Sequence, residues 1–191
     1  MKTSDTTSKL LDSAQLLIQE RGYNAFSYKD LAEAVGIRTA SIHYHFPMKG
    51  DLGLALMRRY TEELKSALVR IESTNRAFKA KIRSFIKLYS DTEARGAICL
   101  CGSLASDRET LPVAMQEAVS EYLELGEQWL TEEIKLGMQA GEFRFSGKAY
   151  DAATTILSSL QGGLIVSRAK GARPLLASVQ RVFLSFLEGG T

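Results

Sequence analysis

Residues 31–50, LAEAVGIRTASIHYHFPMKG, gather both histidines of the chain together with Arg38 and Lys49, and hold only one carboxylate, that of Glu33. Between Ile37 and Ile42, which are apolar, and beside the small Ala40, stand Arg38, Thr39 and Ser41, followed by His43, Tyr44 and His45. On one short helix, Ile37, Ala40 and Ile42 can face inward and the others outward. The outer face then carries hydroxyls, rings and a cation without a carboxylate, which suits the major groove of DNA. Hydroxyls donate to or accept from base edges, and a threonine methyl touches the thymine methyl. Tyr44, His45 and Lys49 can donate to phosphates, which fixes register without reading sequence. Each residue taken singly has an ordinary structural role: a ring packing at a helix end, or a lysine opening the next helix. Their concentration in one segment points to DNA.

The flanking sequence predicts the elements that hold this face. A first helix begins among Asp5, Thr6 and Thr7, buries Leu10, Ala14, Leu17 and Ile18, and ends at Gly22. Ser27 and Asp30 form a capping-box pair at the start of a second, short helix that buries Leu31, Ala32 and Val35. Gly36 stops it, being able to take the left-handed backbone of a sharp turn. A third helix spans about 38–44 and Pro47 blocks its continuation. A long helix then starts at Met48 or Lys49 and covers about 48–72. Two short helices around a glycine turn, behind a supporting helix, are the parts of a helix-turn-helix.

Apolar residues recur at helical spacing through the rest of the chain, with helices expected over 75–93, 97–106, 112–140, 148–169 and 173–188. The fold class is therefore all-α, with about nine helices. The 191 residues carry a net charge of +2, so any basic surface must be local. No apolar run is long enough to span a membrane, and the N-terminus lacks the pattern of a secretory signal, which makes cytoplasmic residence the expectation. No phosphate-binding glycine loop, metal-spaced His/Cys set or Cys-His nucleophile pattern occurs. His43 and His45, two apart, do not converge on one metal from a helix. An enzyme is not expected, nor a cofactor.

Residues 10–55 resemble the DNA-binding domain of the TetR family of bacterial repressors, through ERGYNAFSY, the LAEAVGI turn, the SIHYHF recognition helix and the proline and lysine that follow. The resemblance implies a DNA-binding domain over 1–50, linked by helix 48–72 to an antiparallel helical domain over 51–191 that binds an effector and forms a dimer. It implies that Thr39, Ala40, Ser41 and His43 face bases, and that Tyr44, His45 and Lys49 contact phosphates. Tyr28 and Lys29 open the preceding helix next to the DNA backbone. His43 stands where the family most often has tyrosine, and Arg38 where a small capping residue is frequent. Arg38 can instead reach a phosphate or a guanine.

The last two helices carry apolar stripes too wide for a solvent-facing surface. They suit either a large internal core or a subunit interface, and the resemblance favours a homodimer through Leu160, Gly163, Leu164, Val179, Val182, Phe183 and Phe186. Gly162 and Gly163 allow close backbone approach or a kink. Candidate lining for a small-molecule effector comprises Phe85, Tyr89, Cys99, Met115, Tyr122, Trp129 and Gln161. Cys99 and Cys101 are two small apolar residues or, alternatively, a thiol sensor; on a helix they would point to opposite faces, unable to join. The partners expected are thus an operator in double-stranded DNA, a small effector and a second copy of the chain. A ligand-released repressor follows, with thiol sensing as the alternative.

Overall fold

A computed structural model describes residues 2–171 and 173–189, with side chains from Asp5 onward. Among them are nine α-helices and no strand: α1 (Lys2–Arg21), α2 (Tyr28–Val35), α3 (Thr39–His45), α4 (Lys49–Thr74), α5 (Phe78–Ala94), α6 (Leu100–Ser106), α7 (Val113–Gln139), α8 (Ala149–Ala169) and α9 (Leu176–Leu187). A single 3₁₀ turn, Arg108–Thr110, precedes α7. No described helix is long and apolar enough to cross a membrane.

The local signals act as expected in the first third. Ser27 and Asp30 make both halves of the capping box, and Gly36 closes α2 at φ 74° with its N–H on the Ala32 carbonyl. Phe46 and Pro47 end α3, and the Asp51 carboxylate accepts the Met48 N–H at 2.9 Å as α4 begins. Two boundaries differ. Helix α1 starts at Lys2, ahead of Asp5, because Ser, Thr and Asp are also at home in a first turn, where unpaired N–H groups and the helix dipole favour them. Helix α3 starts at Thr39, leaving Arg38 at the cap without a side-chain bond.

Among the later helices, α5 and α9 begin three residues after the expected positions. Both starts are set by distant carboxylates. Glu142 accepts the N–H groups of Phe78 and Lys79, each at 2.9 Å, and Glu93 accepts those of Leu175 (2.6 Å) and Leu176 (3.2 Å). An acceptor at a helix N-terminus satisfies donors that the helix itself cannot.

The chain forms two compact units that interleave along the sequence rather than dividing at residue 50: Met1–Glu62 with Leu100–Tyr122, and Glu63–Cys99 with Leu123–Thr191. In the first, Leu10, Ile18, Leu31, Ile42, Leu52, Leu56, Leu100, Leu104 and Met115 are fully buried. Ser103 donates to the Ile18 carbonyl at 2.8 Å, and Tyr60 stacks on Tyr122. A Cβ at Gly53 would stand 2.5 Å from the Met115 thioether, so glycine is what allows that approach. In the second unit, α5, α8 and α9 pack on one another around Ile82, Phe85, Ile156, Leu160, Leu176 and Leu187. Helix α8 runs unbroken through Gly162 and Gly163, and a Cβ at Gly163 would meet Leu176 of α9 at 2.5 Å. Gly163 thus serves close approach within the chain, not a break in the helix.

Candidate nucleic-acid interface

Helix α3 is held on the first unit by Ile42, which is fully buried, while Arg38, Thr39, Ala40, Ser41, His43 and Tyr44 are exposed. Ile37 is half-buried as expected, but Ala40 faces outward: in a seven-residue helix one buried side chain suffices as anchor, and the first turn stands clear of the core. A hollow of about 530 Å³ opens on this face, lined by Thr6 of α1 and by Ile37, Arg38, Ala40, Ser41, Tyr44 and His45. Tyr44 is the most outward of these rings, at 81% exposure, a geometry suited to a contact beyond the protein surface.

Three of the four remaining polar candidates are engaged in holding the face. Tyr28 donates its hydroxyl to the Phe46 carbonyl at 2.9 Å, and its ring meets His43 edge-on at 4.8 Å. Burial pushes the Tyr28 phenol up to about 12, with the charges of Asp51 and Tyr23 adding to the effect. His45 is half-buried, with Nδ1 3.3 Å from the Thr7 hydroxyl of α1. Lys49 Nζ donates to the carbonyls of Tyr23 and Phe26, each at 2.5 Å, and lies 4.5 Å and 4.1 Å above the two rings. Burial draws its ammonium below the usual lysine range, against the opposing pull of Asp107 and Asp30. Lysine has three N–H donors, so one is left after both carbonyls are served. Lys29 is exposed.

The turn that Lys49 braces is also clasped by residues that sequence reasoning did not single out. Asp107 accepts the Tyr23 N–H at 2.8 Å and the Asn24 amide at 3.1 Å, and Asn24 also donates to the Thr110 hydroxyl at 2.8 Å. Nothing local marks Asp107, because its partners lie more than eighty positions earlier.

Tyr28 offers a test of how this face is held. A phenol raised from its ordinary value near 10 to about 12 contributes stability that is complete below pH 10 and is lost as pH rises toward 12. Tyr28→Phe is expected to cost about 0.5–1.5 kcal/mol at neutral pH, the worth of one hydrogen bond, and to lose less stability than the wild type between pH 10 and 12. Urea unfolding of both proteins at pH 8 and pH 11 measures the difference. Parallel losses would mean that burial does not hold the Tyr28 phenol above its ordinary value, while the difference at pH 8 alone measures the bond to Phe46.

The effector candidates do not gather in one place. In the second unit Phe85 stacks on Trp129 at 5.4 Å and neighbours Tyr89, and the Gln161 amide donates to the Tyr89 hydroxyl at 3.5 Å. The Trp129 N–H donates to Glu72 at 2.7 Å. Met115 and Tyr122 belong instead to the first unit, against Gly53 and Tyr60. Cys99 precedes α6 and Cys101 lies within it, so the two do not sit on opposite faces of one helix; both are buried and neither forms a disulfide. Of the dimer candidates, Leu160, Leu164 and Phe183 are buried by the chain itself, Gly163 and Val179 are half-buried, and Val182 (69%) and Phe186 (40%) are exposed. A groove of about 660 Å³ runs along α8, α9 and residues 145–148, with Val179, Val182, Phe183 and Phe186 in its wall.

An exposed, carboxylate-free α3, set behind a left-handed glycine turn and pinned by one isoleucine, defines a helix-turn-helix DNA-binding protein. Residues 10–56 match the family described as bacterial regulatory proteins, tetR family. The HTH-type transcriptional regulator CymR of Pseudomonas putida is 24% identical over 165 residues, which cover 84% of this chain and 78% of CymR. The crystal structure of a TetR-family transcriptional regulator from Agrobacterium tumefaciens superposes with a TM-score of 0.89 at 28% identity, over 96% of this chain and 98% of that one. A TetR transcriptional regulator from Legionella pneumophila gives 0.85 at 34% identity, over 96% and 97% of the two chains. The chain belongs to the TetR family of helix-turn-helix transcriptional regulators.

Proposed function

We propose that the protein is a repressor that binds a palindromic operator as a homodimer and is released from it by a small molecule, acting in the cytoplasm. The observation that carries the reading is the outer face of α3, where Arg38, Thr39, Ala40, Ser41, His43 and Tyr44 are all exposed around a buried Ile42. Thr39 and Ser41 read base edges, Ala40 makes room and apolar contact, and Tyr44, Arg38 and Lys29 hold the phosphates. Lys49 and Tyr28 act first as braces of the turn and of the end of α3, with the remaining Lys49 donor directed to a phosphate.

Helix α4 supports an allosteric mechanism, being continuous from Lys49, beside the reading helix, to Thr74 in the second unit. Phe85, Tyr89, Trp129 and Gln161 supply the effector site, and a shift of α4 there alters the presentation of α3. A dimer presents its two reading helices about 34–36 Å apart to meet successive major grooves, so a small tilt matters. Coupling of this kind amounts to typically 1–3 kcal/mol, and it is reciprocal: operator weakens effector binding by the same factor.

Binding of the purified full-length protein to operator and to random DNA separates the roles. Tyr44→Ala is expected to weaken binding to both alike, and Thr39→Val and Ser41→Ala to change the preferred sequence by about 1–3 kcal/mol per lost base contact. Equal losses on operator and random DNA in all three variants would remove the assignment. Lys49 is a poor probe, because its substitution also unties the Tyr23–Phe26 turn.

A further inference from the structure

We infer that His43 reads an amino-bearing base, adenine or cytosine, through an unprotonated Nε2; this rests on α3 being the base-reading helix. His43 Nδ1 lies 3.2 Å from the Pro47 carbonyl oxygen. A carbonyl oxygen only accepts, so Nδ1 carries the ring hydrogen, and in neutral imidazole the second nitrogen is then an acceptor. The ring is steadied by Tyr28, edge-on at 4.8 Å, which is itself tied to the Phe46 carbonyl. Tautomer and ring orientation are thus both set by the protein before DNA arrives. The side chain is exposed, and no described residue engages Nε2.

This gives His43 a part that its neighbours cannot play. Arg38 only donates, and the hydroxyls of Thr39 and Ser41 donate or accept as the partner requires. His43 alone among the exposed groups of α3 offers an acceptor that cannot turn into a donor without gaining a proton. In the major groove the amino groups of adenine and cytosine donate, whereas the keto oxygens of guanine and thymine accept and repel a lone pair. His43 therefore divides bases into amino and keto, a choice that the hydroxyls do not enforce.

Selection of binding sites from a random double-stranded library, with wild type, His43→Phe and His43→Gln, tests this. The wild type should enrich one position per half-site restricted, on one strand, to adenine or cytosine. Changing that base to its keto counterpart, adenine to guanine or cytosine to thymine, should weaken wild-type binding about 10-fold, the worth of one hydrogen bond with its unmet partner. In His43→Phe that position should become unrestricted while the others persist. In His43→Gln, whose amide both donates and accepts, amino and keto bases should be tolerated alike.

An unchanged motif in both variants would overturn the inference and leave the operator reading intact. So would a wild type that binds the amino base and its keto counterpart equally well at the position that His43→Phe relaxes, since Nε2 would then select neither. A wild type that enriches no motif would overturn the proposed function itself, and the inference with it. Long-range ¹⁵N correlation spectra of the wild-type imidazoles give a readout free of variants and of DNA. The Nδ1–H tautomer is expected at His43, and the Nε2–H tautomer there would overturn the assignment.

Discussion

For the proposed homodimer, Val182→Glu together with Ile165→Glu is expected to yield monomers and to lower operator affinity by roughly 10²–10⁴-fold, the gain a second linked site confers. The expectation starts from exposure. Val182 (69%), Ile165 (48%), Val166 (42%) and Phe186 (40%) leave large apolar side chains open on the last two helices, α8 and α9, although each helix already buries its own stripe. Full burial of such a side chain is worth about 1.5–3 kcal/mol, and a two-fold interface counts each residue twice. Charges placed there must be desolvated on association, which opposes it strongly. Leu160 and Phe183 would be the wrong sites for this test, because both are buried by the chain itself and charges there would unfold it. Sedimentation velocity and operator titration on the same samples give the result. A double variant that remains dimeric with wild-type affinity would place the subunit interface elsewhere.

Lys81→Met is expected to destabilise the second unit by about 3–5 kcal/mol, the usual cost of leaving one partner of a buried ion pair alone. Lys81 Nζ donates to both oxygens of Glu133 at 3.1 and 2.9 Å, and the two side chains keep only 14% and 7% of their exposure. The aliphatic stem is replaced by one of similar length, so the loss measured is that of the ammonium, including its position 4.9 Å over the Phe78 ring. A fall in melting temperature of roughly 10 °C follows for a chain of this size. Lys81→Met with Glu133→Leu should recover most of it, since the stranded carboxylate is gone, and the double-mutant cycle isolates the pair. A single variant within about 0.5 kcal/mol of wild type would show that water screens the pair as it does at a surface.

Helices α2 and α3 and the turn between them were legible in the sequence because every device there is local. The Ser27–Asp30 box, the left-handed Gly36 and the stop at Pro47 each act within four residues, and Ile42 marks the buried side of α3 without help from the rest of the chain. Local devices leave local signatures. Where side chains can serve two purposes, the sequence showed only one of them. Tyr28, His45 and Lys49 have the chemistry of phosphate contacts, and the fold also gives them internal partners: the Phe46 carbonyl, the Thr7 hydroxyl, and the Tyr23 and Phe26 carbonyls.

The helical class and the span of α3 were legible in the residues alone, since periodicity, caps and turn residues operate over one or two helical turns, whereas the outward turn of Ala40 was not. Folding was needed to show that 100–122 packs with the N-terminal helices, that Asp107 clasps the Tyr23 turn, that Glu142 and Glu93 start α5 and α9, and that Leu160 and Phe183 are core residues while Val182 is open. Those contacts join residues tens of positions apart. A carboxylate at position 107 looks like any surface aspartate until folding brings the Tyr23 N–H within 2.8 Å of it.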